Sequence, residues 1–517
     1  MKSLISCCLA LFILFRTEAQ IPGSLDHSFN STGIYVHDFG FQDNLTDIYI
    51  QPDHKILSCG TALNQAFAGR LLVLRQNADG TPDAGFGTNG AVMIESFTES
   101  YAYALQVKND GKILVAGAAA DPSYAFSSVV LRLNANGSID STFGVNGWAI
   151  HRLLAGDNFA YSMLELSNHQ LLIAGTAIDT AARNVPVVIR LNENGSVDST
   201  FGTDGIASIT ITELDNRFNK IALQSDGKIV AAGHYGNPIT NDGQFDFDIL
   251  VARFNADGSP DLSFSGDGML TDTVSPTYVD DIFGLALTND HRIVVSGFTT
   301  QPDFSFDAIT LQYDSNGVRN TAFANNGVAR FDSAAQDVAN GVVIDNQGRI
   351  IVAGTTGVFM FDNRDLLLLR YTTDGSVDSS FGGAGYIATD VLGFMDEANA
   401  ITLQPDGKIV LAGKANNGNQ NDVCLARYYN DEATGLTEPQ ARSFSLYPNP
   451  AAVRSTLTLE SDEAIKSLRL FDASGRLISY SVYGNSSTKV CYQLPGGIDA
   501  GVYLLRLNEQ TMRLVVY

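Results

Sequence analysis

The chain has 517 residues, 45% of them apolar and 17% charged, with a formal charge of −24. Such an acidic surface repels phosphate backbones, so it argues against nucleic acid and is compatible with hard cations. Beyond the first twenty residues only Cys59, Cys424 and Cys491 remain, too sparse and odd a set for a disulfide framework.

Residues 1–19 read as a secretory signal, with Lys2 ahead of the apolar run LISCCLALFILF and a cut expected before Gln20. No later stretch reaches the ~18 continuous apolar residues of a transmembrane helix. From residue 26 one phrase recurs: Asp-x-x-Phe-Gly-x-x-Gly, or a close variant, begins at Asp26, Asp83, Asp140, Asp198, Asp261, Asn320 and Asp378. Between copies lie four strand-like segments, A to D. In the second repeat they are 103–109, 112–118, 127–134 and 147–153. Turn dipeptides separate them, Asp110-Gly111 between A and B and Asn136-Gly137 between C and D, supplying the positive φ of tight hairpins. Units of this period cannot bury their apolar faces alone. Four short antiparallel strands repeated seven times predict an all-β, seven-bladed β-propeller.

The chain opens on a lone D segment (33–39) and leaves the repeat after the seventh C segment. The N-terminal strand is therefore expected to complete the last blade and close the ring. The repeated Phe (29, 86, 143, 201, 264, 323, 381) is expected to wedge between blades. The strand C Arg (75, 132, 190, 253, 370, 427, with Gln312 once) needs a partner for its buried charge, and the repeated Asp supplies one. Composition changes at 431. Residues 431–442 read as a linker, and 443–517 as a small all-β unit outside the repeat.

Residues 25–430 resemble the delta-60 repeat family of bacterial surface and secreted proteins, on the Leu-Asp-x-x-Phe-Gly-x-x-Gly and Gln-Pro-Asp-Gly-Lys-Ile-Val-x-Ala-Gly phrases. Residues 443–517 resemble the type A C-terminal sorting domain of the type IX secretion system. The match rests on Leu446-Tyr447-Pro448-Asn449-Pro450, Leu470-Phe471-Asp472-Ala473-Ser474-Gly475 and Ala500-Gly501-Val502-Tyr503. The second resemblance implies a β-sandwich, passage through the Sec machinery and the type IX outer-membrane translocon, and a secreted or surface location on a Gram-negative bacterium.

Two acidic sets are candidate sites. Asp43, Glu99, Asp157, Asp215, Asp280, Asp337 and Asp396 each precede a strand A, the innermost strand of a propeller, and could ring a channel mouth that attracts Ca²⁺. The competing reading is that each acid caps its own loop. Asp248, Asp307, Asp365 and Asp422 open strand C in blades four to seven. With Tyr235, Phe245, Asp246 and Phe304 they mark a candidate ligand face for a glycan or protein. Catalytic residues are not assigned: no G-x-S-x-G, zinc spacing or phosphate loop is present. The leading expectation is a non-catalytic binding, adhesion or scaffold module. The rival is a secreted carbohydrate-active enzyme, a glycosidase or lyase, using a carboxylate site on the propeller face.

Overall fold

The computed structural model describes residues 21–516 except 210, 212–214, 238–245, 277, 359–362, 432–444, 448–450, 461–464, 466, 473–475, 483–488 and 508–509. The expected signal and linker lie outside the described residues, apart from Asp431 at the linker's edge. Two compact units are present, 1–432 and 433–517.

The first unit contains seven four-stranded antiparallel sheets. Blade one is built from A (Asp43–Ile50), B (Ile56–Leu63), C (Gly69–Gln76) and D (Ala91–Ile94). Blades two to six follow at 99–151, 158–208, 216–272, 280–331 and 338–389. Blade seven takes A, B and C from Glu397–Leu403, Ile409–Asn416 and Asn421–Tyr428, and its D strand is Ile34–His37 from the start of the chain. That strand pairs antiparallel with C, Ile34 opposite Ala426 and His37 opposite Val423, so the ring closes as the repeat register predicts. The seven A strands touch in succession and complete an inner circle.

Two backbone devices make the blades fit. Every strand A carries a bulge, as between Ala102 and Ala104, opposite the Gly that ends the apolar run of strand B. At Gly117 a Cβ would lie 1.9 Å from the Tyr101 carbonyl oxygen, so only glycine is tolerated there. The extra residue then reaches the next blade. Thr46 Oγ1 donates to the Ala102 carbonyl (2.8 Å), Asn219 Nδ2 to Ile282 (2.7 Å), Asn340 Nδ2 to Ala398 (3.0 Å) and Asn399 Nδ2 to Leu45 (2.9 Å).

The repeated phrase forms one structural unit. Arg75 Nε lies 2.7 Å from Asp83, Arg132 2.7 Å from Asp140, Arg190 2.8 Å from Asp198, Arg253 2.6 Å from Asp261, Arg370 2.8 Å from Asp378, and Arg427 2.8 Å from Asp26 across the closure. In blade five both partners are neutral: Asn320 Nδ2 donates to Gln312 Oε1 at 2.6 Å. Each guanidinium in the six charged copies also covers its own blade's Phe ring, 4.6–4.9 Å from the centroid. The ring packs against the following blade, where a Cβ on Gly258 would come 2.9 Å from Phe201. The seven Phe are buried to 0–1% exposure, which makes them inter-blade wedges.

The second unit holds a three-stranded and a four-stranded sheet around a core that includes Leu457, Leu470, Tyr492 and Leu505. Tyr503 is buried and donates its hydroxyl to the Asp499 carbonyl (2.8 Å), anchoring the strand Gly501–Leu507. Asp472 accepts from the Arg476 N–H at 3.0 Å. Tyr447 lies in the strand Ser445–Tyr447; Pro448, Asn449, Pro450 and Gly475 lie outside the described residues.

Candidate ligand-binding face

In each blade the B–C and D–A loops emerge on one side, because four antiparallel strands send alternate connections to opposite ends. The B–C tips share a conformation. Phe67 (φ 61°), Tyr124 (62°), Ala182 (60°) and Phe304 (65°) occupy the same left-handed position in blades one, two, three and five. Bulky side chains rarely adopt that backbone. Here three of the four are aromatic and project into solvent, at 64%, 63% and 60% exposure. Phe41 meets Phe67 edge-on at 5.3 Å, and Tyr278 meets Phe304 edge-on at 6.0 Å, so D–A loops buttress two of the tips. Phe394 adds a fourth exposed ring, seated over Gly418.

Beneath these tips lie the acids. Asp43, Asp280, Asp337 and Asp396 are fully buried. Asp280 Oδ2 accepts the N–H groups of Val274 (2.6 Å) and Ser275 (3.0 Å). Asp337 accepts Ser333 N–H (2.7 Å), and Asp396 accepts Val391 N–H (2.6 Å) and Asn416 N–H (3.2 Å). Asp157 accepts Phe126 N–H (2.9 Å), Asp215 accepts Asn184 Nδ2 (2.7 Å), and Glu99 accepts the Tyr101 hydroxyl (2.6 Å). Asp280, Asp337 and Asp396 thus cap their own D–A loops, Asp157 and Asp215 bond to strand C of the preceding blade, and Glu99 bonds within its own strand.

The two sequence sets meet across blade junctions. Carboxylate oxygens lie within 4.8 Å of one another in two groups, Asp38 with Asp43 and Asp422, and Asp365 with Asp390 and Asp396. In each, a strand C acid of one blade faces the strand A acid of the next, and a third acid follows the outer strand. Asp307 and Asp248 occupy equivalent places, at 3% and 5% exposure. Asp307 is held by Arg330 (3.3 Å), and Asp248 accepts the Tyr235 hydroxyl (3.1 Å). The strand C acids Asp248, Asp307 and Asp422 are thus buried junction groups, and among the described members of the ligand-face set only the Phe304 ring stands clearly in solvent. Phe245 lies outside the described residues, and Asp246 opens strand Asp246–Phe254. Burial, reinforced by neighbouring acids, pushes the Asp43 and Asp396 carboxyls up to about 6.

One polar network escapes sequence reading. His234 is buried at 2% exposure, with Nδ1 2.8 Å from Asp281 Oδ1 and Nε2 4.0 Å from Asp215. Arg217 Nη2 lies 3.0 Å from the other Asp281 oxygen, and Phe247 packs on the imidazole at 4.6 Å. Burial opposes charge on His234, yet Asp281 and Asp215 raise its pKa overall.

A seven-bladed propeller followed by a separate small β unit is therefore the class that fold and sequence define. Residues 51–86, 108–143, 167–201, 224–264, 348–381 and 404–431 match the family described as a domain of unknown function (DUF5122) beta-propeller. Residues 445–516 match the secretion system C-terminal sorting domain. The chain carries both, and the tail marks it for export by type IX secretion to the cell surface or extracellular space. No helix among the described residues is long and apolar enough to cross a membrane. No curated protein matches the sequence. Similar solved structures include PorZ, described as an essential bacterial surface component of the type-IX secretion system of Porphyromonas gingivalis. It is 13% identical, with 92% of this chain and 81% of that one covered and a TM-score of 0.23. Others are Drosophila semaphorin 1a extracellular domains 1-2 (9%, 76% and 87%, 0.41) and the α-L-arabinofuranosidase Arb93A from Fusarium graminearum (10%, 76% and 94%, 0.38).

Proposed function

We propose that the propeller is a non-catalytic binding module delivered to the cell surface, and that it holds a glycan against the aromatic loop tips of its B–C face. The observation that carries this reading is the recurrence of exposed rings at Phe67, Tyr124 and Phe304 in a strained left-handed backbone. Large exposed apolar groups and local strain both concentrate at binding surfaces. Rings of this kind stack on the apolar faces of sugars, and the acidic surroundings favour neutral or cationic ligands over polyanions. In the same reading, residues 1–19 are the signal removed during export, 20–430 are the functional unit, 431–442 tether it, and 443–517 are its address. A glycan array probed with the wild-type chain and with a Phe67→Ser/Tyr124→Ser/Phe304→Ser variant tests the reading. Binding by the wild type and loss in an equally stable variant is the expected result; equal binding by both refutes it.

The catalytic rival has one feature in its favour, the His234–Asp281–Arg217 network. Turnover of an array-selected glycan, abolished by His234→Gln, would establish the rival in place of simple binding.

A further inference from the structure

The acid cluster at the ring seam joins three carboxylates from both ends of the ring. Asp38 follows the N-terminal strand Ile34–His37, Asp422 lies in strand C of blade seven, and Asp43 opens blade one. Their carboxylate oxygens lie within 4.8 Å of one another, a spacing that matches oxygens on opposite sides of a cation bound at ~2.4 Å. No Lys, Arg or His among the described residues forms an ion pair with any of the three. Arg70 favours the charged form of Asp43 electrostatically but makes no ion pair with it; its two terminal nitrogens are engaged by Glu95 (3.2 Å) and the Leu63 carbonyl (3.3 Å). Asp43 is fully buried, and while Oδ2 accepts the Phe39 N–H, Oδ1 has no hydrogen-bond donor. A buried carboxylate oxygen without a hydrogen-bond donor, beside two further carboxylates and with no ion pair, is under-compensated.

A second junction shows how such a group is compensated. Between blades five and six, Asp307, Asp332 and Asp337 hold the corresponding positions, and Arg330 reaches Asp307 at 3.3 Å. Arg330 lies opposite Ile309, two residues after Asp307. At the seam the corresponding outer-strand residue is Val36, opposite Cys424, two residues after Asp422. The fold thus supplies its own cation at one junction and an aliphatic side chain at the other.

We infer that Asp38, Asp43 and Asp422 form a Ca²⁺ site that staples the N-terminal strand and blade seven to blade one. The ion would join segments some 380 residues apart in the chain at the one place where the ring is closed without a covalent link. This differs from a channel-mouth ring: one acid comes from each of three strands or loops at a single junction. It is also independent of any ligand held by the loop tips. Affinity in the range of extracellular Ca²⁺ modules is expected, a Kd on the order of 0.1–1 mM.

The test uses the full chain stripped with chelator, then equilibrium dialysis and melting in CaCl₂ against NaCl of equal ionic strength. The wild type should bind Ca²⁺ and melt several degrees higher than in NaCl. Asp43→Asn and Asp422→Asn should each bind one ion fewer per chain and lose that gain, while melting at or above wild type in chelator because a buried charge repulsion is gone. Asp332→Asn, at the junction served by Arg330, should keep the wild-type stoichiometry. A wild type that gains no more from CaCl₂ than from NaCl overturns the inference. So do seam variants that retain the full complement of ions.

Discussion

Truncating one wedge tests whether the repeated phrase holds the blades together. In Phe201→Ala the lost ring is fully buried, lies 4.7 Å beneath the Arg190 guanidinium, and fills the space against Gly258 of the following blade. Core Phe→Ala changes cost roughly 3–5 kcal/mol where the site cannot collapse. Collapse is resisted here because the cavity lies between two rigid sheets. Loss of the cation–π contact adds about 1 kcal/mol. Urea unfolding followed through the single tryptophan, Trp148, which is buried at 6% exposure in blade two, reports the loss. With an m-value of roughly 3 kcal/mol/M or more for a unit of this size, the midpoint should fall by about 1 M. A separate early transition for the region around blades three and four would also fit, since repeat arrays can lose cooperativity. An unchanged midpoint with a single transition would refute the wedge.

The charged layer gives a second expectation. Asp83 and Asp198 are held at about 2, the first despite its burial by Lys55, the Gly85 N–H and Arg75, the second chiefly by the Thr200 hydroxyl. Because these folded values lie below the unfolded one, their stabilisation is present above about pH 4 and is lost as pH falls towards 2. Melting scans should therefore show a steep loss only below pH 4, and a steady decline from pH 7 would count against the layer. In blade five, Gln312→Arg and Asn320→Asp should each destabilise alone and recover together, a coupling of about 1–3 kcal/mol in a double-mutant cycle; additive effects would break the analogy with the other six blades. Deleting residues 20–40 exposes the edge strand Asn421–Tyr428 and strips buried Arg427 of Asp26, so the variant should aggregate or melt far lower. Wild-type solubility and melting would contradict closure.

The sequence was most informative where a contact lies inside one repeat. Arg132 and Asp140 are eight residues apart, Phe143 follows three later, and all recur with the period, so their partnership could be read from spacing and the cost of a buried charge. The alternating strands and turn glycines likewise exposed the blade count and the closing strand. Contacts across a junction were hidden. Asp422 and Asp43 belong to different blades and, at the seam, to opposite ends of the ring, so each was placed in a separate set. The strand A bulge also defeats simple alternation, because one inserted residue turns Thr46, Asn219, Asn340 and Asn399 towards the next blade. Lys112, which joins Arg132 on Asp140 at 2.8 Å, was visible only as part of a turn phrase. The rings at Phe67 and Tyr124 share a loop offset with Phe304, but a positive φ at an aromatic residue leaves no mark in composition.

Hydrogen–deuterium exchange on the wild-type chain, with and without the glycan selected by the array, tests the binding account most directly. The account predicts added protection in the loops at 64–68, 121–125 and 301–305, with little change in the A–B and C–D turns of the opposite face. Protection confined to those opposite turns, or to the strands around His234, would contradict it.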